Sequence, residues 1–395
     1  MRVLVARHSA VHIGGVETYV DTIVPAMAAA GHDIALWYED GAATGPDSND
    51  AVPRWFHRAD PESLARVADW QPAIVFSHGL RSPDVERALL AVAPAVLFAH
   101  SYMGTCISGN KMHARPAAAV CSRRFGPACL ALYYPRRCGG LNPLTAVAMY
   151  RRQADRLHVL DRYRRIVVAS RHMAQEYARH GFAAKTSIVT LPAPAADPEP
   201  RVPRSGSWRL LYLGRLEWTK GADIAVDAVA RATTLLGTPI HLVVAGAGSM
   251  DAQLRALASR HTSNDARVTF EFAGPVTAEG RSAMLRRSDL LLVPSRWPEP
   301  YGLVGNEAGI AGVPAIAFAT GGIPEWLTDG VDGRLVASEP EVEPFARPLA
   351  ALLAEPDTIA RMGEASRTRA HRLSVARHVR ELDLVFQQVA GTPRP

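Results

Sequence analysis

Apolar residues in this chain gather into short, nearly unbroken runs, and the stretches between them mix apolar and polar positions at helical spacing. In the first half the runs are Arg2–Ala6, Asp33–Tyr38, Ala73–Ser77, Ala95–Ala99, Ile166–Ala169 and Ser187–Leu191. Strands that are apolar on both faces belong in a parallel sheet covered on both sides. Helices fill the intervals. Val16–Ala30 is the clearest, with Gly31 placed to end it as a C-terminal cap, and Arg171–Arg179, ending near Gly181, is another. The Pro-rich run at 192–203 breaks any regular element and reads as a domain linker. After it the pattern restarts at Arg209–Leu213, His241–Ala245, Val268–Phe272, Leu290–Pro294, Ala315–Phe318 and Arg334–Val336. Two sets of roughly six strands, each opening on a strand and a Gly-bearing turn, predict an α/β chain of two doubly wound, Rossmann-like halves. The boundaries fall at 1–200 and 201–374, leaving 375–395 for a last helix, Val375–Val389, with no strand after it.

Composition agrees with two domains, since 395 residues are too many for one ordinary small core. No apolar stretch approaches the length of a membrane-spanning helix, and the N-terminus opens directly on a strand pattern without a leader. A cytoplasmic location is the expectation. The net charge of +6 is uneven: from Lys111 to Arg171 the arginines include Arg115, Arg123, Arg124, Arg136, Arg137 and Arg152, opposed only by Asp155 and Asp161. Such a segment is either a solvated Arg-rich face or an attractor for lipid headgroups, a phosphorylated acceptor or nucleic acid. Attraction of lipid headgroups makes peripheral membrane association part of the expectation.

All four cysteines, Cys106, Cys121, Cys129 and Cys138, fall in one segment, about 101–145, that interrupts the first half just after His100. Their spacing is irregular and has no Cys-x-x-Cys pair, which leaves structural zinc, disulfides and reduced buried thiols all open.

The densest candidate chemistry lies in the run Glu299-Pro-Tyr-Gly-Leu-Val-Gly-Asn-Glu307, which follows the strand ending at Pro294. Pro300 and Gly302 oppose a helix through the whole run. The pattern therefore predicts Glu299 in a loop, exposed backbone at Tyr301, Gly302 and Leu303, and a helix with Glu307 in its first turn or two. Bare N–H groups at such a helix start suit a phosphate, and Glu307 suits a ribose diol. Taken alone, an acidic helix start needs no ligand. Other motifs also follow strands. Leu210–Gly221 carries Arg215 and Lys220 on either side of Glu217 and Trp218, and the strand at Ala315–Phe318 leads to Gly321-Gly322-Ile-Pro-Glu325. Met1–Ala6 is followed by Gly14-Gly15-Val-Glu17.

In this order and at these separations the motifs resemble those of the retaining glycosyltransferases of family 4 (glycosyl transferases group 1). That family's hallmark is a glutamate, seven residues and a glutamate. The resemblance runs from Gly14-Gly15 to about Gly333 and implies the GT-B fold, two facing Rossmann-like domains with an interdomain cleft. It implies a nucleotide-diphosphate sugar as donor on 201–374, with UDP-sugar favoured over GDP-sugar. The acceptor, a glycan, glycolipid or small molecule, falls to 1–200, and the last helix crosses back to brace that domain. Arg215 and Lys220 match residues that hold the leaving phosphates. Glu299 matches a glutamate that contacts sugar hydroxyls, although a nucleophilic role is also conceivable for such a carboxylate. His100 matches a histidine beside the donor sugar, and His78 is a weaker candidate of the same kind. Gly14, Gly15, Val276, Tyr301, Gly302, Leu303 and Glu307 complete the donor set, with the Gly246-Ala-Gly248 turn and the Gly274-Pro-Val276 loop walling the base. No Asp-x-Asp follows a strand, so neither a metal nor another cofactor is expected.

Four other readings compete. A GT-B nucleotide-sugar epimerase would use the same donor motifs. A phosphorylase would need a pyridoxal phosphate lysine, and no segment supplies its context. A basic nucleic-acid-binding protein would use the arginine segment and have no need of Glu307; it ranks below, and no nucleic-acid partner is expected. A non-catalytic sugar-nucleotide sensor differs from the enzyme only in turnover.

Overall fold

The computed structural model describes residues 1–10, 14–40, 54–140, 142–195, 200–202 and 206–391. The chain divides into two compact units, Met1–Pro192 together with Val375–Pro395, and Ala193–Ser374. Of the Pro-rich run, residues 196–199 and 203 lie outside the described residues.

The first unit is built on the strands β1 (Arg2–Ser9), β2 (Asp33–Asp40), β3 (Trp55–His57), β4 (Ile74–Ser77) and β5 (Ala95–Phe98). After the small hairpin β6 (Met112–His113) and β7 (Ala119–Val120), β8 (Arg165–Val168) and β9 (Thr186–Ile188) complete the sheet. Its order is β3-β2-β1-β4-β5-β8-β9, and every pairing in it is parallel. This is seven strands where about six were expected. The extra one is the three-residue β3, too short to form an apolar run. Val3, Leu4, Val5 and Ala6 are fully buried, which is why β1 shows no polar alternation. The strand order reverses between β1 and β4, creating a switch point at their carboxyl ends.

The helices α1 (Gly15–Ala29), α2 (Ser63–Trp70), α3 (Pro83–Val92), α4 (Ala128–Leu132), α5 (Pro143–Leu160) and α6 (Arg171–Arg179) surround this sheet and its inserted segment. Side-chain caps fix several starts. Ser170 Oγ accepts from Met173 N at 3.2 Å, and Asn142 Oδ1 accepts from Leu144 N at 2.9 Å with Pro143 in the first turn. The terminal helix, Val375–Ala390, also belongs to this unit. The Phe386 ring lies 5.0 Å from that of Phe76, and His32 Nε2 is 2.7 Å from Asp383 Oδ1. Burial of a side chain such as Phe386 contributes roughly 1.5–3 kcal/mol.

The cysteine-bearing segment is fastened to the unit rather than hung from it. Ile107, Phe125, Tyr133 and Ala146 form its own small core. The buried Lys111 ammonium lies 2.5 Å from Glu176 on α6, and Phe125 N donates to His180 Nε2 at 2.9 Å. Removing one partner of such a buried pair costs about 3–5 kcal/mol. All four cysteines are free thiols; Cys106 is buried and the others are half-buried. Burial pushes the Cys138 thiol up to about 11.

The second unit holds β10 (Trp208–Leu213), β11 (Ile240–Ala245), β12 (Val268–Gly274), β13 (Leu290–Val293), β14 (Ala315–Phe318) and β15 (Gly333–Val336). They form a parallel sheet in the order β12-β11-β10-β13-β14-β15, with its switch point between β10 and β13. Its helices are α7 (Ala222–Leu236), α8 (Asp251–Asn264), α9 (Ala278–Arg286), α10 (Leu303–Ile310), α11 (Val342–Leu353) and α12 (Pro356–His371). The core runs through Leu210, Val229, Leu242, Leu292, Phe345 and Leu349, all buried. Among the described residues no helix is long and apolar enough to cross a membrane.

Candidate active site

Two loops leave the carboxyl ends of β10 and β13 and lock together at the second unit's switch point. The β10 loop carries Arg215 and ends in a single 3-10 turn, Trp218–Lys220. Thr219 O accepts Arg296 N at 3.0 Å and Trp297 N at 2.9 Å from the β13 loop. The Arg296 guanidinium forks onto both Asp223 oxygens at 2.7 Å and lies 5.0 Å from the Trp218 ring. Gly221 has φ 72°, and a Cβ there would stand 1.9 Å from Pro294 O, so only glycine lets the loops approach this closely.

This clamp brings Lys220 and Glu299 together. Lys220 Nζ donates to both carboxylate oxygens, at 2.6 and 2.8 Å, and Ser295 Oγ donates to Oε1 at 2.9 Å. The Lys220 ammonium also sits 4.4 Å from the centre of the Trp297 ring. Glu299 is buried, so the fixed cation offsets the cost of holding its charge away from water. A carboxylate with both oxygens engaged is a poor nucleophile and a well-held hydrogen-bond acceptor.

Beyond Glu299, α10 starts at Leu303 as the sequence pattern predicts. Gly302 caps it at φ 102°, with Trp326 Nε1 donating to Tyr301 O at 2.7 Å beside it. The first N–H groups of a helix have no partner within it and can receive an anion. Glu307 lies further along α10, mostly buried, 3.4 Å from Arg281 Nε on α9. Burial pushes its carboxyl above the usual range, and the Arg281 charge works against that rise. Val276 is half-buried in the loop before α9, where Thr277 Oγ1 accepts Gly280 N at 3.2 Å. Arg215 is exposed and forms no ion pair among the described residues, and its carbonyl accepts Tyr212 OH at 2.9 Å.

In the first unit His78 and His100 follow the ends of β4 and β5 and pair through His78 Nδ1 and His100 Nε2 at 3.0 Å. The Tyr19 ring lies 5.2 Å from that of His100, and its hydroxyl is 2.7 Å from His378 Nε2. His378 Nδ1 faces the Thr190 carbonyl at 2.8 Å and must donate to it, so His378 Nε2 accepts from Tyr19. Burial lowers all three imidazoles, His100 to about 3 and His378 to about 4. They are neutral at pH 7 and act as oriented hydrogen-bond groups. A cavity of about 70 Å³ adjoins His78 and His100, lined also by Ser101, Glu86 and Arg156 among others. Gly14 is extended at φ −178°, and its N–H is held by Glu17 Oε2 at 2.9 Å. A Cβ on Gly14 would meet nothing within 4 Å, so no tight turn demands glycine there.

The structure thus joins Lys220 to Glu299 and places the start of α10 and Glu307 just beyond them in the chain. Sequence reasoning missed Ser295, Trp297, Arg296 and Arg281, whose roles depend on contacts across loops. It also missed Tyr19 and His378, which are 359 residues apart.

Known proteins match this chain along both units. A family model of glycosyl transferases group 1 matches residues 196–369, and one of glycosyltransferase family 4 matches residues 13–194. A glycogen synthase of Mycobacterium tuberculosis is 27% identical over 389 residues, spanning 93% of this chain and 90% of that protein. A D-inositol 3-phosphate glycosyltransferase of Streptomyces griseus is 33% identical over 219 residues, or 53% of this chain and 43% of that protein. Among solved structures, Anabaena HepE with UDP and glucose has a TM-score of 0.70 at 15% identity, covering 98% of this chain and 100% of that one. Sucrose-phosphate synthase from Thermosynechococcus elongatus has a TM-score of 0.69 at 18% identity, covering 98% of each chain. Two doubly wound parallel sheets with these likenesses define a glycosyltransferase of the GT-B fold. The chain belongs to the family 4 glycosyltransferases.

Proposed function

We propose that this enzyme transfers a sugar from a nucleotide-diphosphate sugar to an acceptor hydroxyl, with retention of the anomeric configuration and without a divalent metal. The observation that carries this reading is the Lys220–Glu299 pair, fixed by the loop clamp at the switch point and followed by the open start of α10. As the bond from the anomeric carbon to the phosphate oxygen breaks, negative charge gathers on the departing diphosphate. Arg215, Lys220 and the N–H groups at Gly302 and Leu303 are the fixed donors that stabilise it. Glu299, turned by Lys220 and Ser295, accepts from the sugar hydroxyls and is not the nucleophile. Glu307 takes the ribose diol, Tyr301 and Val276 border the nucleotide, and Gly14 and Gly15 leave room beside the donor. His100 supplies a neutral hydrogen-bonding group to the sugar. The second unit takes the donor and the first the acceptor, which is a glycan, a lipid-linked sugar or a small molecule. A uridine nucleotide is favoured over guanosine, as in the UDP complexes of the HepE neighbour. The enzyme works in the cytoplasm, with the basic segment available to a membrane surface.

A thermal-shift panel of UDP, GDP, ADP and TDP tests the donor, because a ligand bound only by the folded state raises the midpoint. Proton NMR of the first-formed product tests the stereochemistry. UDP should give the largest shift, and the product should keep the donor's anomeric configuration. No shift with any nucleotide, or an inverted product, overturns the proposal.

A further inference from the structure

The loop after β4 gathers arginines that the reaction described above leaves unused. Arg152 Nη2 donates to Arg81 O at 3.3 Å, and Arg156 Nη2 donates to the same oxygen at 3.0 Å and also to Leu80 O. These groups sit at the carboxyl edge of β1, β2 and β4, beside the first unit's switch point, where open α/β sheets take ligands. The nearby carboxylates are already committed. Glu39 accepts Ser82 N at 2.7 Å and also Arg81 N, and it faces His8 at 3.2 Å and Arg58 at 3.6 Å. Glu86 is held by Arg156 at 3.3 Å and by the Tyr163 hydroxyl. Arg81 and Arg152 are exposed, and among the described residues neither has an ion-pair partner. Partial burial, then the charges of Arg156 and Arg81, pull the Arg152 pKa down. Behind them Arg156 is buried, its Nε has no partner, and it lines the cavity that His78 and His100 also line.

We propose that Arg81 and Arg152, backed by Arg156, form an anion subsite that takes the phosphate of a phosphomonoester acceptor. The inference deepens the reading of the first unit as the acceptor side and rests on it. Charge sets the class: two guanidiniums without an ion-pair partner among the described residues match the roughly −1.5 to −2 of a phosphomonoester at pH 7 better than a single carboxylate. Planar forks, Arg81 from the β4 loop and Arg152 from α5, also suit bidentate contacts to phosphate oxygens. The phosphate arrives either on a soluble sugar or polyol phosphate or on a lipid headgroup at a membrane surface.

The test is binding of inorganic phosphate, followed by calorimetry in saturating UDP so that the diphosphate site is filled, to wild type, Arg81→Gln, Arg152→Gln and the double variant. Each single change should weaken phosphate binding roughly tenfold or more, and the double change should abolish it, with UDP affinity and melting point unaltered. Vesicles of phosphatidylcholine with and without phosphatidic acid, sedimented with the same proteins, separate the two sources. Arginine-dependent capture only by vesicles containing phosphatidic acid assigns a lipid phosphate, and arginine-dependent binding of free phosphate assigns a soluble one. Wild type that binds neither probe, or a double variant that binds as wild type does, overturns the subsite. Failure of UDP to bind would instead count against the donor assignment, and phosphate binding that still depends on Arg81 and Arg152 would leave the subsite standing.

Discussion

At the switch point between β10 and β13, Lys220 grips both oxygens of Glu299 and the two loops are bolted by Arg296 and Thr219. At the switch point between β1 and β4 the arrangement differs: the buried Arg156–Glu86 pair, 3.3 Å apart, lines the cavity with His78 and His100, uncharged imidazoles pack edge-on to Tyr19, and the exposed Arg81 and Arg152 have no ion-pair partner among the described residues. The same strand plan thus carries two electrostatic designs. A matched ion pair holds its geometry before any ligand arrives, which on the proposed function preorganises the second unit for charge that develops during reaction. Neutral rings and unmatched cations work differently. They hold polar groups in place without charge and leave the cationic field for an incoming anion to neutralise. Four experiments break or sharpen this contrast.

The largest effect belongs to the ion pair. Lys220→Met should lower turnover by about 10²–10³-fold, as loss of a fixed donor to developing charge does. It should also lower the melting point, because it leaves the Glu299 charge buried and alone at a cost of about 3–5 kcal/mol. Lys220→Met combined with Glu299→Gln removes both charges. It should recover most of the melting point and none of the turnover. A double variant that regains activity would show that the pair serves stability alone, and the two switch points would then differ less than they appear.

Acid should strike the other unit. His100 and His378 have folded pKa values lowered by burial to about 3 and about 4, against about 6.5 when unfolded. The native state then binds fewer protons than the unfolded state across that window, so stability rises with pH. It is fully present above about pH 6.5 and is lost as pH falls through the folded values. At about 1.4 kcal/mol per unit, His378 alone accounts for roughly 3 kcal/mol between pH 6.5 and pH 4. Melting curves from pH 8 to pH 4 should show the loss, and hydrogen exchange should place it in the first unit. His378→Gln should flatten the slope. A wild-type midpoint that stays level over that range would mean the imidazoles are not held neutral.

Much of this was legible before the structure. The strands at Ala315–Phe318 and Leu290–Val293 are visible because burial on both faces leaves unbroken apolar runs, and they agree with the sequence reading to within a residue. The helix start after Gly302 is visible because Pro300 and Gly302 forbid an earlier one. Elements too short to carry a period were not visible: β3, with three residues, and the β6–β7 hairpin, with two in each strand. In the site, Glu299 and Lys220 could each be picked out beside a strand, but not their direct bond across 79 residues of chain. Arg281 shares α9 with Arg286, and only the packing of α9 near α10 sets one apart as the partner of Glu307.

A smaller effect is expected at Glu307, which the proposed function sets against the nucleotide and not the departing charge. Glu307→Ala removes a charged hydrogen-bond partner worth about 1.5–3 kcal/mol, or roughly 10–100-fold in UDP affinity. Calorimetry should show that loss with turnover at saturating donor largely kept. Because the substitution also leaves Arg281 without its carboxylate, Arg281→Gln is the control. If it matches Glu307→Ala in UDP affinity, the effect comes from breaking the pair, and Glu307 leaves the donor site.

The smallest expected effect is none at all. If Arg215, Lys220 and the start of α10 supply the positive charge that a bridging metal would otherwise bring, exhaustive chelation should leave transfer unchanged. Among the described residues no three His, Cys, Asp or Glu side chains are placed to hold an ion together. Activity before and after chelation, with magnesium, manganese or zinc added back singly, decides the matter. Loss restored by magnesium or manganese would mean that the paired switch point lacks charge of its own and borrows it from an ion. Loss restored by zinc alone would point to the other unit. There Cys106, Cys121, Cys129 and Cys138 share one segment, and a metal that drew them together would change the shape of the surface proposed to meet the acceptor.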